Sequence, residues 1–305
     1  MTKQKVIIDT DPGCDDMLAI LLMCASPLVD IQAITTVAGN STLQNVTNNA
    51  RYILDIAQCP DIPLCPGASK PLVRSPIQAT VHGASGLETA TAINDVPLNN
   101  LAVDKILDIV RAAPGEVSLL ILGPQTNIAA AIRQDPETMK LARAFVIMGG
   151  AFTVPGNQTI AAEFNICADP EAAAIVASSP VAKTYIPLDL CNQIQVPLSE
   201  FARIQNAQVR TAVTTALSPY IRNIQRHELK TQGALMYDVL AAYYLLAPEV
   251  CATRSRMVIV ETNGTYTYGM TLIDDRASQP NATIVTDIPP RRFINDYFRI
   301  LNGAM

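Results

Sequence analysis

Four carboxylates, Asp9, Asp11, Asp15 and Asp16, fall within eight residues in the run Asp9-Thr10-Asp11-Pro12-Gly13-Cys14-Asp15-Asp16, and no basic residue lies among them. Like charges that close repel, so the cluster either retains protons through raised pKa values or holds a cation. Oxygen donors with no nearby Cys–His pairing point to Ca²⁺ or Mg²⁺ and away from zinc. A wide loop offering several carboxylates suits the larger, more flexibly coordinated Ca²⁺ better. A local reading competes: Asp15 and Asp16 precede Met17, and acidic side chains favour a helix N-terminus. A cap needs only one carboxylate, however, and here there are four. Among them the Cys14 thiolate is disfavoured, which argues against a nucleophilic cysteine.

These residues need a scaffold, and the flanking pattern supplies one. Short apolar or β-branched runs read as strands at Val6 to Ile8, Ile31 to Thr36, Ser118 to Leu122, Phe145 to Met148 and Thr184 to Ile186. Helix-period segments lie between and after them: Met17 to Cys24, Asn45 to Ile56, Val103 to Arg111, Asn127 to Ile132 and Pro170 to Val176. The last starts at Asp169-Pro170, an N-cap followed by proline. Such βαβ alternation predicts an α/β fold, a mostly parallel, Rossmann-like open sheet flanked by helices, with ligands gathered beyond the carboxyl ends of its strands. The loops Asp9 to Asp16, Thr36 to Asn40, Gly123 to Asn127 and Met148 to Asn165 converge there. The C-terminal third reads as an elaboration on the same domain. It comprises long helices over Leu198 to Arg226, a helix over Leu235 to Leu246, and short strands over Arg256 to Asp287 with turns such as Asn263-Gly264.

Composition narrows the partners. With 305 residues, 49% hydrophobic and 16% charged, the chain can bury a large core; no linker or charge run divides it, so one domain over residues 1–305 is expected. A net charge of −5 without basic clusters argues against nucleic acid or an anionic membrane surface and favours a small neutral ligand. Seven cysteines without a CxxC suit reduced thiols, and no apolar run approaches a bilayer's width, so a cytoplasmic location is expected.

Beyond the acidic run, Thr36-Val37-Ala38-Gly39-Asn40, Val81-His82-Gly83, Gly123-Pro124-Gln125-Thr126-Asn127, Val146-Ile147-Met148-Gly149-Gly150 and Ala162-Glu163-Phe164-Asn165 follow in order. Together these blocks resemble the nucleoside hydrolases, the inosine-uridine preferring family that cleaves the N-glycosidic bond of ribonucleosides. The segment Val81 to Gly86 is most similar to bacterial members acting on both purine and pyrimidine nucleosides. The resemblance implies a Ca²⁺ held by the carboxylates of Asp11, Asp16 and Asp238 and the backbone carbonyl of Thr126. It implies that Asp11 also accepts the proton of a water held by the metal, that Asp15, Asn40, Asn157, Glu163 and Asn165 bind ribose hydroxyls, and that Met148 lies against the sugar. It implies a homodimer or homotetramer serving nucleoside salvage.

The chemistry also follows from the residues. Cleaving a nucleoside develops an oxocarbenium-like ribosyl cation, so the site needs negative potential beneath the sugar, a positioned water and a means to quench charge on the departing base. The last requirement is where this chain departs from the family, whose members often carry a His just before the metal-ligating Asp of the late helix. Here that residue is Tyr237, in Leu235-Met236-Tyr237-Asp238. A phenol is a poor acid near neutrality, so His82 is the candidate substitute, and His227 is a second residue placed towards the base. Two alternatives stay open: a nucleoside-binding protein that has lost turnover, motivated by Tyr237, and a haloacid dehalogenase-like phosphatase, which shares the strand followed by Asp-x-Asp. No G-x-G-x-x-G follows the first strand, which disfavours a dinucleotide enzyme.

Overall fold

The computed structural model of the chain describes residues 3–79, 81–87, 95–226, 231 and 233–303. Its strands are β1 (Gln4–Thr10), β2 (Val29–Thr36), β3 (Leu64–Pro66), β4 (Val117–Ile121), β5 (Ala144–Met148), β6 (Lys183–Ile186), β7 (Gln195–Val196), β8 (Ala234–Leu235), β9 (Ala252–Arg256), β10 (Val258–Val260), β11 (Thr271–Ile273) and β12 (Ala282–Asp287). Helices α1 (Cys14–Ala25), α2 (Leu43–Ile56), α3 (Ala102–Ala112), α4 (Thr126–Gln134), α5 (Pro136–Met139), α6 (Phe164–Ala168), α7 (Pro170–Ser178), α8 (Leu188–Cys191), α9 (Ala207–Arg226), α10 (Tyr237–Leu246) and α11 (Pro290–Leu301) alternate with them.

Among the described residues the central sheet has eight strands in the order β3-β2-β1-β4-β5-β6-β12-β9, and every pair is parallel except β12 with β9. The apolar runs account for this. A parallel strand covered on both faces has no wet side, so it reads as a continuous hydrophobic stretch. Alternate residues then serve opposite cores. Val6 and Ile8, Leu120 and Leu122, and Val146 and Met148 enter the core containing α1 and α10. Ile7, Leu119 and Ile121, and Phe145 and Ile147 enter the core containing α3 and α4.

Strand order reverses between β1 and β4, where the chain first builds outward through β2 and β3 and then returns to build the other way. Such a switch point opens a crevice beyond the strand ends. The acidic loop after β1 and the Gly123 loop after β4 flank that crevice.

The C-terminal third departs from expectation. Beyond a short-strand elaboration, of which β10 and β11 form a separate antiparallel pair, it completes the main sheet: β12 pairs with β6 in parallel and β9 closes the edge antiparallel to β12. The span read as long helices begins as a 3-10 turn over Leu198–Arg203 and becomes a regular helix only at Ala207. Among the described residues no helix is long and apolar enough to cross a membrane.

The two-core arrangement makes a testable distinction. Phe145 is fully buried, whereas Leu141 at the end of the preceding turn is 40% exposed. Phe145→Ala should cost about 3–5 kcal/mol in chemical denaturation, and Leu141→Ala about 0.5 kcal/mol or less. Equal, small losses would contradict the layer assignment.

Candidate active site

The acidic loop is organised by the start of α1. The Asp16 carboxylate accepts the Gly13 N–H at 2.9 Å, closing the first turn, and also accepts the Thr10 hydroxyl and the Asn40 side-chain amide at 3.2 Å. The capping reading and the site reading of Asp16 therefore coexist in one side chain. Asp9 points elsewhere: fully buried, it accepts the Thr35 hydroxyl and the Asn127 amide at 2.8 Å, bracing β1, β2 and α4 to one another. Burial pushes its carboxyl up to about 7, against the pull of those two donors.

Asp11 lies in a glycine cradle. Its Oδ2 accepts the Asn40 N–H at 2.7 Å. A Cβ on Gly39 would come 2.1 Å from Oδ2, and one on Gly123 would come 2.5 Å from Oδ1. No other residue fits either position without displacing the carboxylate. Asp11 Oδ1 is buried and has no protein partner among the described residues, and the same holds for Asp15 Oδ1 as regards hydrogen bonds.

A cavity of about 470 Å³ opens beside this cluster. Of the residues singled out from sequence, Asp15, Asn40, His82, Met148, Asn157, Glu163, Asn165, Tyr237 and Asp238 line it. Asp11 and Asp16, both fully buried, sit behind the lining. Thr126 opens α4 with its hydroxyl on Asp169 (2.7 Å) and lines a second cavity, of about 510 Å³. His227 lies outside the described residues.

Opposite the acidic end, loop 149–165 is held by backbone capture. Gly150, at φ +89°, takes a conformation that disfavours any side chain, and its N–H reaches Glu163 Oε2 at 3.2 Å. Glu163 also accepts the N–H groups of Asn165 and Ile166 as the N-cap of α6. Burial raises its carboxyl to about 7 despite these donors. Asn165 spends its amide on the carbonyls of Leu122 (2.7 Å) and Met148 (3.2 Å), tying this loop to the ends of β4 and β5. Asn157, more exposed at the rim, accepts the Phe164 N–H.

The electrostatics have one cause. Asp15, Asp16 and Asp238 can each place a carboxylate oxygen within 4.8 Å of the others. Burial first, and then the neighbouring carboxylates, push Asp11, Asp16 and Asp238 above the usual carboxylate range. Asp15 rises to about 6 through burial, against the opposing backbone N–H groups at the start of α1. At about 5 Å and an effective dielectric of about 20, each like-charge pair costs on the order of 3 kcal/mol. Three mutual pairs together rival the net stability of a whole domain. A cation among these hard oxygens removes that cost, and the unpartnered Asp11 and Asp15 oxygens supply free lone pairs for it.

His82 packs against the same helix start. Its Nδ1 accepts the Cys14 N–H at 3.2 Å, which places the ring proton on Nε2, 3.7 Å from Asp15 Oδ1. Burial lowers its pKa to about 4, with Asp16 opposing, so the imidazole is neutral near neutrality. A Cβ on Gly13 would come 2.7 Å from Nδ1, so the close approach depends on glycine. Tyr237 donates its hydroxyl to Asn192 Oδ1 at 2.8 Å, and burial, then Cys191, Asp15 and Glu163, hold its pKa above the usual phenol range. Neither group carries a readily released proton.

Several lining residues escaped the sequence reading, Tyr220 and Asn192 among them. Tyr220 stacks on His82 with ring centroids 5.1 Å apart and a 16° interplanar angle. Its only sequence signal is the adjacent Pro219, inside a helix that proline disfavours. Asn192, just past the four-residue α8, has no motif around it.

Comparison with known proteins agrees with this geometry. Residues 6–295 match the family described as inosine-uridine preferring nucleoside hydrolase. An uncharacterized protein of Schizosaccharomyces pombe is 41% identical over 277 residues, 88% of this chain and 89% of that one. The pyrimidine-specific ribonucleoside hydrolase RihA of Salmonella typhi is 37% identical over 298 residues, covering 95% of this chain and 96% of RihA. The solved purine-preferring ribonucleoside hydrolase from Gardnerella vaginalis superposes with a TM-score of 0.91 at 28% identity, covering 98% of each chain. With a match along almost its whole length and an acidic, glycine-cradled pocket at the sheet's switch point, the chain belongs to the inosine-uridine preferring nucleoside hydrolase family.

Proposed function

We propose that the protein hydrolyses the N-glycosidic bond of ribonucleosides, purine or pyrimidine, to ribose and free base, with a Ca²⁺ at the acidic cluster. One observation carries this reading: buried carboxylate oxygens without protein partners stand at a cavity that apolar and aromatic side chains also line. A polar sugar and a flat base match those two kinds of surface.

Asp11, Asp16 and Asp238, with the Thr126 carbonyl, are the proposed metal ligands, and Asp15 lies close enough to Asp16 and Asp238 to join them. When bound, the ion would supply the positive charge that keeps these carboxylates ionised, and it would polarise a water and the ribose diol. The remaining work falls to the chain. Asp11, held through Oδ2 by Asn40, takes a proton from the attacking water at its unpartnered Oδ1. Asp15 and Glu163 lend negative potential beneath the developing oxocarbenium, and Asn40, Asn157 and Asn165 position the sugar. Met148 and Leu122 bound the sugar on its apolar side. Water displaces the base directly, with no covalent sugar intermediate. His82 and Tyr237, both protonically unresponsive, serve as contacts to substrate. We propose that the whole of residues 1–305 forms this one unit, working as a homodimer or homotetramer in cytoplasmic nucleoside salvage. The second reading, nucleoside binding without turnover, rests on the Tyr237 hydroxyl being committed to Asn192.

Incubation with inosine and uridine separates the two: reducing sugar released without added phosphate supports hydrolysis, and binding without sugar release supports the second reading. Asp11→Asn should lower kcat by about 10²–10⁴-fold. Its thermal midpoint in chelator should equal or exceed the wild type's, because a neutral amide replaces a buried charge. Wild-type turnover in this variant would remove Asp11 as the base. Chelation should also lower the thermal midpoint of the wild type, and Ca²⁺ at a hundred times its dissociation constant should restore about 2.7 kcal/mol. A midpoint indifferent to both treatments would defeat the metal assignment.

A further inference from the structure

Departure of the base leaves an electron pair on its ring nitrogen, delocalised over the ring and its exocyclic acceptors. A hydrogen-bond donor must meet that charge. The lining carboxylates Asp15, Glu163 and Asp238 cannot donate when ionised. The Tyr237 proton is directed onto Asn192 Oδ1 at 2.8 Å and away from any base in the cavity. That bond fixes the other end of the carboxamide. With Oδ1 facing the phenol, Nδ2 carries two N–H donors for which no hydrogen-bond partner occurs among the described residues, and Asn192 lines the cavity. The backbone is equally well set: Asn192 caps the C-terminus of α8, and its own N–H returns to the Leu188 carbonyl at 3.1 Å. Leu188, Ile224, Leu235, Tyr220 and Tyr237 line the same cavity as Asn192 and give it the apolar surface that a flat heterocycle requires.

We infer that Asn192, oriented by the Tyr237 hydroxyl, donates an N–H to the departing base and supplies the leaving-group stabilisation that an acidic side chain would otherwise give. The inference rests on the hydrolase reading and deepens it. As the C–N bond breaks, its electron pair goes to the base, Asn192 Nδ2–H holds the resulting anion, and the base then takes its proton from solvent. The proton lost by the attacking water goes to Asp11, so no proton is taken from Asn192. Tyr237 is a positioning residue in this scheme and Asn192 a catalytic one.

Asn192→Asp is the discriminating variant, since it keeps an oxygen for the Tyr237 hydroxyl, removes the donor and sets a negative charge beside the departing base, so both changes bear on the leaving group. Uridine and inosine need help in expelling the base, whereas p-nitrophenyl riboside releases a phenolate that leaves unaided. In Asn192→Asp, kcat/KM should therefore fall by about a hundredfold more on the nucleosides than on p-nitrophenyl riboside. Tyr237→Phe, which frees the amide to rotate, should show the same selectivity at smaller size. Thermal midpoints confirm folding of both variants. Equal losses on all three substrates, or Asn192→Asp turning over uridine and inosine as the wild type does, would overturn the inference while leaving the hydrolase reading intact. A wild type that cleaves neither the nucleosides nor p-nitrophenyl riboside would defeat that reading itself.

Discussion

The repulsion among buried carboxylates is the constraint on which the site depends. Asp11, Asp15, Asp16 and Asp238 are all at most 5% exposed, and among the described residues no lysine or arginine lines the cavity beside them. Left to itself the cluster must take up protons: burial drives every member above the ordinary carboxylate range, and for Asp11, Asp16 and Asp238 the neighbouring carboxylates add to it. The surroundings do not relieve this. Hydrogen bonds from Asn40, Thr10 and Gly13 hold the carboxylates in place but carry no full charge. Such an arrangement costs stability unless a cation compensates it, and sites that keep local destabilisation do so for function.

The fold makes this cluster possible by bringing in the backbone from two directions. At the switch point the loops after β1 and β4 approach face to face, and only glycine at positions 39 and 123 leaves space for Asp11 between them. Asp9 and Asn127 lock the same junction from behind. Asn127 donates to Asp9 (2.8 Å) and to the Thr36 carbonyl (3.0 Å), and its oxygen accepts the Ala68 N–H, so three strand ends share one amide. Asp238 arrives separately, in the first turn of α10, which packs against α1 through the apolar core. The loop after β1 and the start of α1 therefore fix Asp11, Asp15 and Asp16, and the packing of α10 delivers Asp238.

This division decides what could be read from the chain. Strands β1, β2, β4, β5 and β6 were legible because burial of most of their residues leaves short apolar or β-branched runs, and α7 because Asp169-Pro170 marks its start. The acidic run was legible because carboxylates so close together repel strongly unless a proton or a cation comes between them. Strands β10 to β12 were legible as strands, but β12's place in the main sheet was not, and β9 lay, but for Arg256, outside the span read as strands, since it exposes four of its five residues and its pairing with β12 is a long-range choice. Asn192 and Tyr220 were not legible at all. A single asparagine after a short helix turn and a tyrosine in an amphipathic helix are unremarkable as local sequence, and only the assembled cavity brings them to a ligand.

The aromatic end of the pocket reveals how a tyrosine can occupy a position where a proton donor would be expected. Burial first, and then Cys191 and the nearby carboxylates, make this phenol hold its proton more tightly, because ionisation would place a further negative charge in a buried acidic neighbourhood. The imidazole of His82 is held neutral for a different reason: burial disfavours its cation, and the N–H at the start of α1 occupies its acceptor nitrogen. Both groups are thus hydrogen-bonding elements and not reservoirs of acid. A site built from such neutral donors stabilises charge without transferring a proton. That division suits a pocket whose acidic end concentrates negative charge: a cationic acid placed there would pair with Asp15 or Glu163, whereas a neutral amide fixed by a phenol keeps its N–H available to the base.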